Sequence, residues 1–257
     1  MLILRSFIRS VVLFAMLSLL CFAAQSSEKQ SPQNTPPPSV PAPAKPAIVH
    51  TPDTTDLARE TQQTIREGDY AGLVWWIPYE YWTQVAASRS PSASRMAGRL
   101  QALKDYTVVG IFLARVSDLG AFNYVTPAEL RQKVSIRDAA GKDYPPISQL
   151  GDDAKMLEAV LKPMLANAMG RAGENFELLF FPARTSSGNA IAPAAEKTRF
   201  SVVLKYPPDL PEVVYEWRLP LTSISPPKYC PVGKERVNAN WDYCPWHGVP
   251  LNGPAEK

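Results

Sequence analysis

An α+β fold, mainly an antiparallel β-sandwich with added helices and a C-terminal cysteine hairpin, is predicted by three observations. At least six short runs of β-branched and aromatic residues are separated by turn residues, a rhythm of antiparallel strands rather than of alternating strand and helix. One long stretch, 152–169, carries the stripe of an amphipathic helix. Two cysteines, Cys230 and Cys244, each followed by proline, frame a short hairpin near the C-terminal end.

The N-terminal region reads as an export signal. Residues 1–24 hold Arg5 and Arg9, no acidic residue, and an apolar run from Val11 to Ala24, the pattern of a secretory peptide. The run falls short of the roughly 20 apolar residues a membrane span needs. Cys21 follows Ser18, Leu19 and Leu20 rather than the small residue of a lipoprotein signal. The expected location is therefore secreted or periplasmic, in the cell envelope, with no stable membrane span. Residues 25–56 follow, rich in Pro, Ser, Thr and Gln, as an extended tether.

The chain has 27 basic and 24 acidic residues; without Arg5 and Arg9 the balance is 25 to 24. No basic field points to nucleic acid.

Residues 57–226 form the predicted globular domain, about 170 residues and long enough for a substantial core. A helix is expected over Asp56 to Glu67, capped by Thr54, Thr55 or Asp56 and closed by Gly68. Leu73 to Pro78 has strand composition, and Pro78 sits where a helix from Tyr79 to Ser88 would begin. A small helix is expected over Ser92 to Lys104, placing Met96, Leu100 and Leu103 together. Tyr106 to Val116 is too long and apolar for an edge and is expected at the centre of a sheet. Val134 to Ile147 reads as a hairpin turning at Ala139 to Gly141. In the helix 152–169, Met156, Leu157, Val160, Leu161, Met164, Leu165 and Ala168 form the stripe, Asp152 or Asp153 the cap and Pro163 a kink. Three strands follow, in NFELLFFPAR, FSVVLKYPP and VVYEWRLPL, with a polar loop at Thr185 to Lys197.

Asp138, Gly141, Tyr144 and Pro146 make a D-x-x-G-x-x-Y-x-P hairpin. With the strand order around it, this resembles secreted immunoglobulin-like modules. The resemblance implies a binding or structural role and carries over no catalytic residue.

Residues 227–257 form the tail. Tyr229-Cys230-Pro231 and Tyr243-Cys244-Pro245 repeat one start, and Gly248 follows the second. The segment resembles a zinc ribbon that has lost a ligand, since a closed zinc site needs four N or S donors. The resemblance implies Cys230, Cys244 and His247 as metal ligands. Gly233 stands where the first knuckle places its second donor, and Lys234 where some ribbons carry a histidine. Glu235, Asp242 or water is left as the fourth donor. A disulfide between Cys230 and Cys244 is the favoured alternative, because exported thiols oxidise; it closes a loop of about 15 residues, worth about 3 kcal/mol. Free thiols are the third reading. Cys244-Pro245-Trp246-His247 also has the form of a redox turn, but no thioredoxin-like βαβ pattern surrounds it. No cofactor is expected apart from zinc.

Trp75, Trp76, Tyr79, Tyr81 and Trp82 cluster in sequence, yet strand alternation sends Trp75 and Trp76 to opposite faces, which favours core packing over a ligand platform. The only histidines are His50, in the tether, and His247, so the domain has no histidine base for a hydrolytic triad. Asp152 and Asp153 point apart on a helix. No phosphate-binding glycine loop or His-Glu-x-x-His motif is present. These absences favour a non-enzymatic binding or assembly module whose partner is an unidentified protein or envelope component. The alternative is a metal- or thiol-dependent activity at Cys230, Cys244 and His247.

Overall fold

A computed structural model of the chain describes residues 53–87, 98–206 and 211–251. The segment read as an export signal, most of the expected tether with His50, and Met96 lie outside the described residues, as does the start of the helix expected from Ser92. Among the described residues no helix is long and apolar enough to cross a membrane.

The architecture is α+β with antiparallel sheets. The chain opens with helix α1 (Thr54–Thr61), capped by Asp53, whose carboxylate accepts from Thr55 N–H. The helix expected as far as Glu67 stops at Thr61, and Gln62–Glu67 is strand β1. It pairs along its whole length with β2 (Tyr70–Ile77). Gly68, expected to end a helix, instead turns a hairpin at φ 55°. Pairing with a long neighbour outweighs the weak helical preference of Gln-Gln-Thr-Ile-Arg-Glu.

Helix α2 (Tyr79–Ala87) follows Pro78, and a 3₁₀ turn (Gln101–Asp105) leads into β3 (Tyr106–Val116). β3 lies at the centre, as its composition predicts. It pairs with β2 on one side, and on the other with β4 (Phe122–Tyr124) and β7 (Glu177–Pro182).

Helix α3 (Pro127–Lys133) was not anticipated, although its signal is plain in the sequence. Thr126 and Glu129 form a reciprocal capping box with Pro127 in the first turn, the pattern that satisfies two orphan amides at once.

The second sheet has the order β6-β5-β8-β9, from β5 (Val134–Arg137), β6 (Asp143–Tyr144), β8 (Arg199–Leu204) and β9 (Val213–Arg218). The hairpin motif proves to be local carpentry. The Asp138 carboxylate accepts from Ala140 N–H, Lys142 N–H and Tyr144 O–H, while Gly141 takes φ 88°.

Two buried clusters flank the central sheet. Val74 and Trp76 of β2 and Val109, Ile111 and Leu113 of β3 meet Ile136, Phe200, Val202, Tyr215 and Trp217 of the second sheet. Their alternates Trp75, Ile77, Val108, Leu178 and Phe180 pack against Trp82 of α2 and Leu157, Leu161 and Leu165 of α4 (Asp152–Ala168). Trp75, Trp76 and Trp82 are all core residues, so the aromatic cluster is no exposed platform. The buried stripe of α4 is Ala154, Leu157, Leu161 and Leu165. Met156 and Val160, expected on it, are about half exposed: an apolar residue one step off the facing stripe is rotated toward solvent. The helix is capped at Gly151 rather than at Asp152 or Asp153, and Pro163 sits within it as expected. The loop after β7 is not purely polar, for Ile191 and Ala194 are buried in the first cluster.

At Gly110 of β3 the ring of Phe176 occupies the side-chain position, 2.0 Å from where a Cβ would stand. Gly110→Ala is therefore an overpacking change, expected to cost about 1–3 kcal/mol in a denaturant titration. Burial alone raises the Asp138 pKa, but its three hydrogen bonds outweigh that effect and hold the carboxyl below its ordinary value. The stabilisation is thus present above about pH 3.9, the unfolded value, and is lost as pH falls through the lower folded value. The stability gap between wild type and Asp138→Asn is expected to be widest near neutral pH and to close in acid, which a pH series of melts measures.

Candidate metal centre

The tail folds into two knuckles of one design. The first is Cys230–Glu235, between the short paired strands β10 (Lys228–Tyr229) and β11 (Arg236–Val237). Cys230 N–H donates to the Glu235 carbonyl (3.0 Å), and Lys234 N–H to the Cys230 carbonyl (3.0 Å). In the second knuckle, Cys244 N–H donates to the Val249 carbonyl (2.9 Å), and Gly248 N–H to the Cys244 carbonyl (2.8 Å). Residue for residue, Cys230 matches Cys244, Gly233 matches His247, Lys234 matches Gly248 and Glu235 matches Val249. The fifth position must turn left-handed: Gly248 does so at φ 64° and Lys234 at φ 60°. Glycine is free there, whereas lysine is held with some strain.

This equivalence explains the missing ligand. His247 fills the fourth position of the second knuckle and points at both sulfurs, with Nδ1 3.4 Å from Cys230 Sγ and 3.4 Å from Cys244 Sγ. In the first knuckle that position is Gly233, and its space is taken by another residue. A Cβ on Gly233 would stand 1.9 Å from Glu235 Oε2 and 2.6 Å from His247 Cε1. Glu235 reaches back from two residues further on, through the gap the glycine leaves. Its Oε1 lies 3.4 Å from Cys244 Sγ and 3.3 Å from His247 Nδ1.

Cys230, Glu235, Cys244 and His247 thus bring four ligand atoms within 4.8 Å of one another. Donors bound to zinc at about 2.0–2.3 Å stand roughly 3.3–3.8 Å apart across a tetrahedron, and four of the contacts fall at 3.3–3.4 Å. The group can hold a metal ion. Of the donors weighed for the fourth place, Glu235 is in the cluster, while Asp242 is drawn away into a 2.6 Å ion pair with Lys197.

Both cysteines are buried and both are free thiols, which corrects the expected disulfide. The imidazole of His247 and the carboxylate of Glu235 converge on the sulfurs instead. Burial pushes the Cys244 thiol upward, whereas the Glu235 carboxyl is held below its ordinary value, chiefly by its own backbone N–H and then, against the effect of burial, by the two thiols and His247. A small apolar core of Cys230, Val237, Cys244 and Leu251, flanked by Trp241 and Val249, supports the knuckles.

The knuckles are tied to the rest of the protein by polar contacts. Thr222 Oγ1 donates to Asn238 Oδ1 (2.7 Å) and accepts from Ala239 N–H (3.1 Å). Asn240 donates to the Arg218 carbonyl (2.8 Å). From α1, Glu60 receives the amides of Thr222 and Ser223 at 2.6 and 2.9 Å. Sequence reasoning found three of the four donors and named Glu235 among candidates for the last. It missed the Trp241–Trp246 pair, whose rings meet edge to face at 5.7 Å, and Trp246 is 64% exposed.

No protein-family model matches the chain, and no curated protein matches it. Among solved structures, a crystal structure of a DUF4426 family protein from Pseudomonas aeruginosa PAO1 is 14% identical, covering 62% of this chain and 93% of the other at a TM-score of 0.26.

Proposed function

We propose that the protein is an exported, non-enzymatic binding or assembly module of the cell envelope. On this reading its C-terminal knuckles are clamped by one zinc ion on Cys230, Glu235, Cys244 and His247, and its two sheets form an immunoglobulin-like β-sandwich. The observation that carries the zinc reading is the Glu235 carboxylate standing in the side-chain space of Gly233, which completes a four-donor set. Four protein donors make a closed site, the arrangement of structural zinc; catalytic zinc keeps a position for water. The shared core between the sheets supports the sandwich. The apolar run before Ala24 supports export.

Purified from the native compartment, the protein is expected to carry one equivalent of zinc and two alkylatable thiols. An intact mass two hydrogens low, with no zinc, overturns the clamp. His247→Ala and Glu235→Ala should each weaken zinc by at least 10–100-fold, the loss typical of partners that merely orient a ligand. Gly233→Cys should restore zinc to Glu235→Ala, because it rebuilds the missing knuckle donor in the vacated space. Failure of that rescue in a folded double variant argues against the proposed coordination.

A further inference from the structure

A cleft of about 370 Å³ opens between α1 and the knuckles, lined by Asp56 and Glu60 on one side and by Arg236, Asn238, Trp241 and Trp246 on the other, with Ser223 in its wall. Its size falls in the range of about 300–1,000 Å³ typical of small-molecule sites. It takes no part in the metal cluster. The geometry points to a saccharide-binding site, taking one neutral pyranose unit of a glycan.

Charge selects the ligand first. Both Glu60 carboxylate oxygens are engaged by the Thr222 and Ser223 amides, and Asp56 pairs with Arg59 at 2.9 Å. Arg236, donating to the Thr222 carbonyl at 3.3 Å, sets a positive charge opposite them. An anion meets the carboxylates and a cation meets the guanidinium, so the matching ligand is neutral and rich in hydrogen-bonding groups.

Shape selects next. The two indole planes stand at 66° to each other, forming a corner rather than a parallel slot. A flat base is best held between parallel rings. A pyranose instead lays an apolar C–H face on one indole and turns its hydroxyls toward the polar wall. Trp246 is 64% exposed and meets Trp241 edge to face, so the aromatic corner stands open at the cleft. Asp56, Asn238 and Arg236 add acceptor and donor groups of the kind that fix sugar hydroxyls.

The test is calorimetric titration of the full chain with maltotriose and with triacetylchitotriose, which separate plain from N-acetylated sugars. Zinc content is measured on every sample. Saturable binding of either sugar is expected, weakened at least about tenfold in Trp246→Ala and in Asp56→Ala; the latter lies outside the knuckles. Circular dichroism should be unchanged in both variants. No saturable heat with either sugar, equal affinity in both folded variants, or preferential binding of adenosine or choline overturns the assignment. Sugar binding by protein that carries no zinc and is two hydrogens low in mass sinks the metal clamp and leaves the cleft standing, whereas zinc-loaded protein that ignores both sugars does the reverse.

Discussion

Everything in the domain follows from a central sheet that must be dry on both faces. β3 is its axis, with partners on both sides along its length. Because strand residues alternate, Val109, Ile111 and Leu113 commit one face to the second sheet, while Val108 and Phe112 commit the other to the helices. Paired tryptophans at 75 and 76 repeat the division in β2. Gly110 shows how tight the arrangement is, since its empty side-chain position is filled by Phe176. A sheet with two buried faces fixes its register, because a slip of one residue would exchange the two sets.

The helices bring one charged anchor to this apolar scheme. Glu177, at the start of β7, is 1% exposed and is bound by both Arg131 of α3 and Lys162 of α4. A carboxylate buried there without partners would cost several kcal/mol, so the two cations, each more than a third exposed, hold α3 and α4 to the sheet edge. Such a pairing is better regarded as a device of placement than of net stability.

The tail solves a different problem. It is too small to fold on apolar burial alone, and its core is only Cys230, Val237, Cys244 and Leu251 with two flanking residues. Four side chains that could hold a metal ion converge beside that core, and Glu60, reaching from α1 to the backbone of Thr222 and Ser223, fastens the chain just before the knuckles. The same junction creates the cleft, so the groups that attach the tail also line it.

By itself the sequence placed strands in Leu73 to Pro78, in Tyr106 to Val116 and within NFELLFFPAR, FSVVLKYPP and VVYEWRLPL, the hairpin at Asp138, and the candidate donors Cys230, Cys244 and His247. Each is written in local chemistry: β-branched runs, a turn-forming Asp and Gly, paired cysteines. The capping box at Thr126 was equally local and was overlooked. Tertiary structure decided that Gln62–Glu67 is a strand, because its neighbour offered a full ladder of hydrogen bonds. It decided which face of α4 is buried, since Met156 and Leu157 are equally apolar and only the partner surface distinguishes them. It also decided that Glu235, rather than Asp242, completes the donor set. That choice depends on the empty space at Gly233 and on Lys197, 45 residues away, claiming the other carboxylate; the glycine is visible in the sequence, but which carboxylate reaches its space is not.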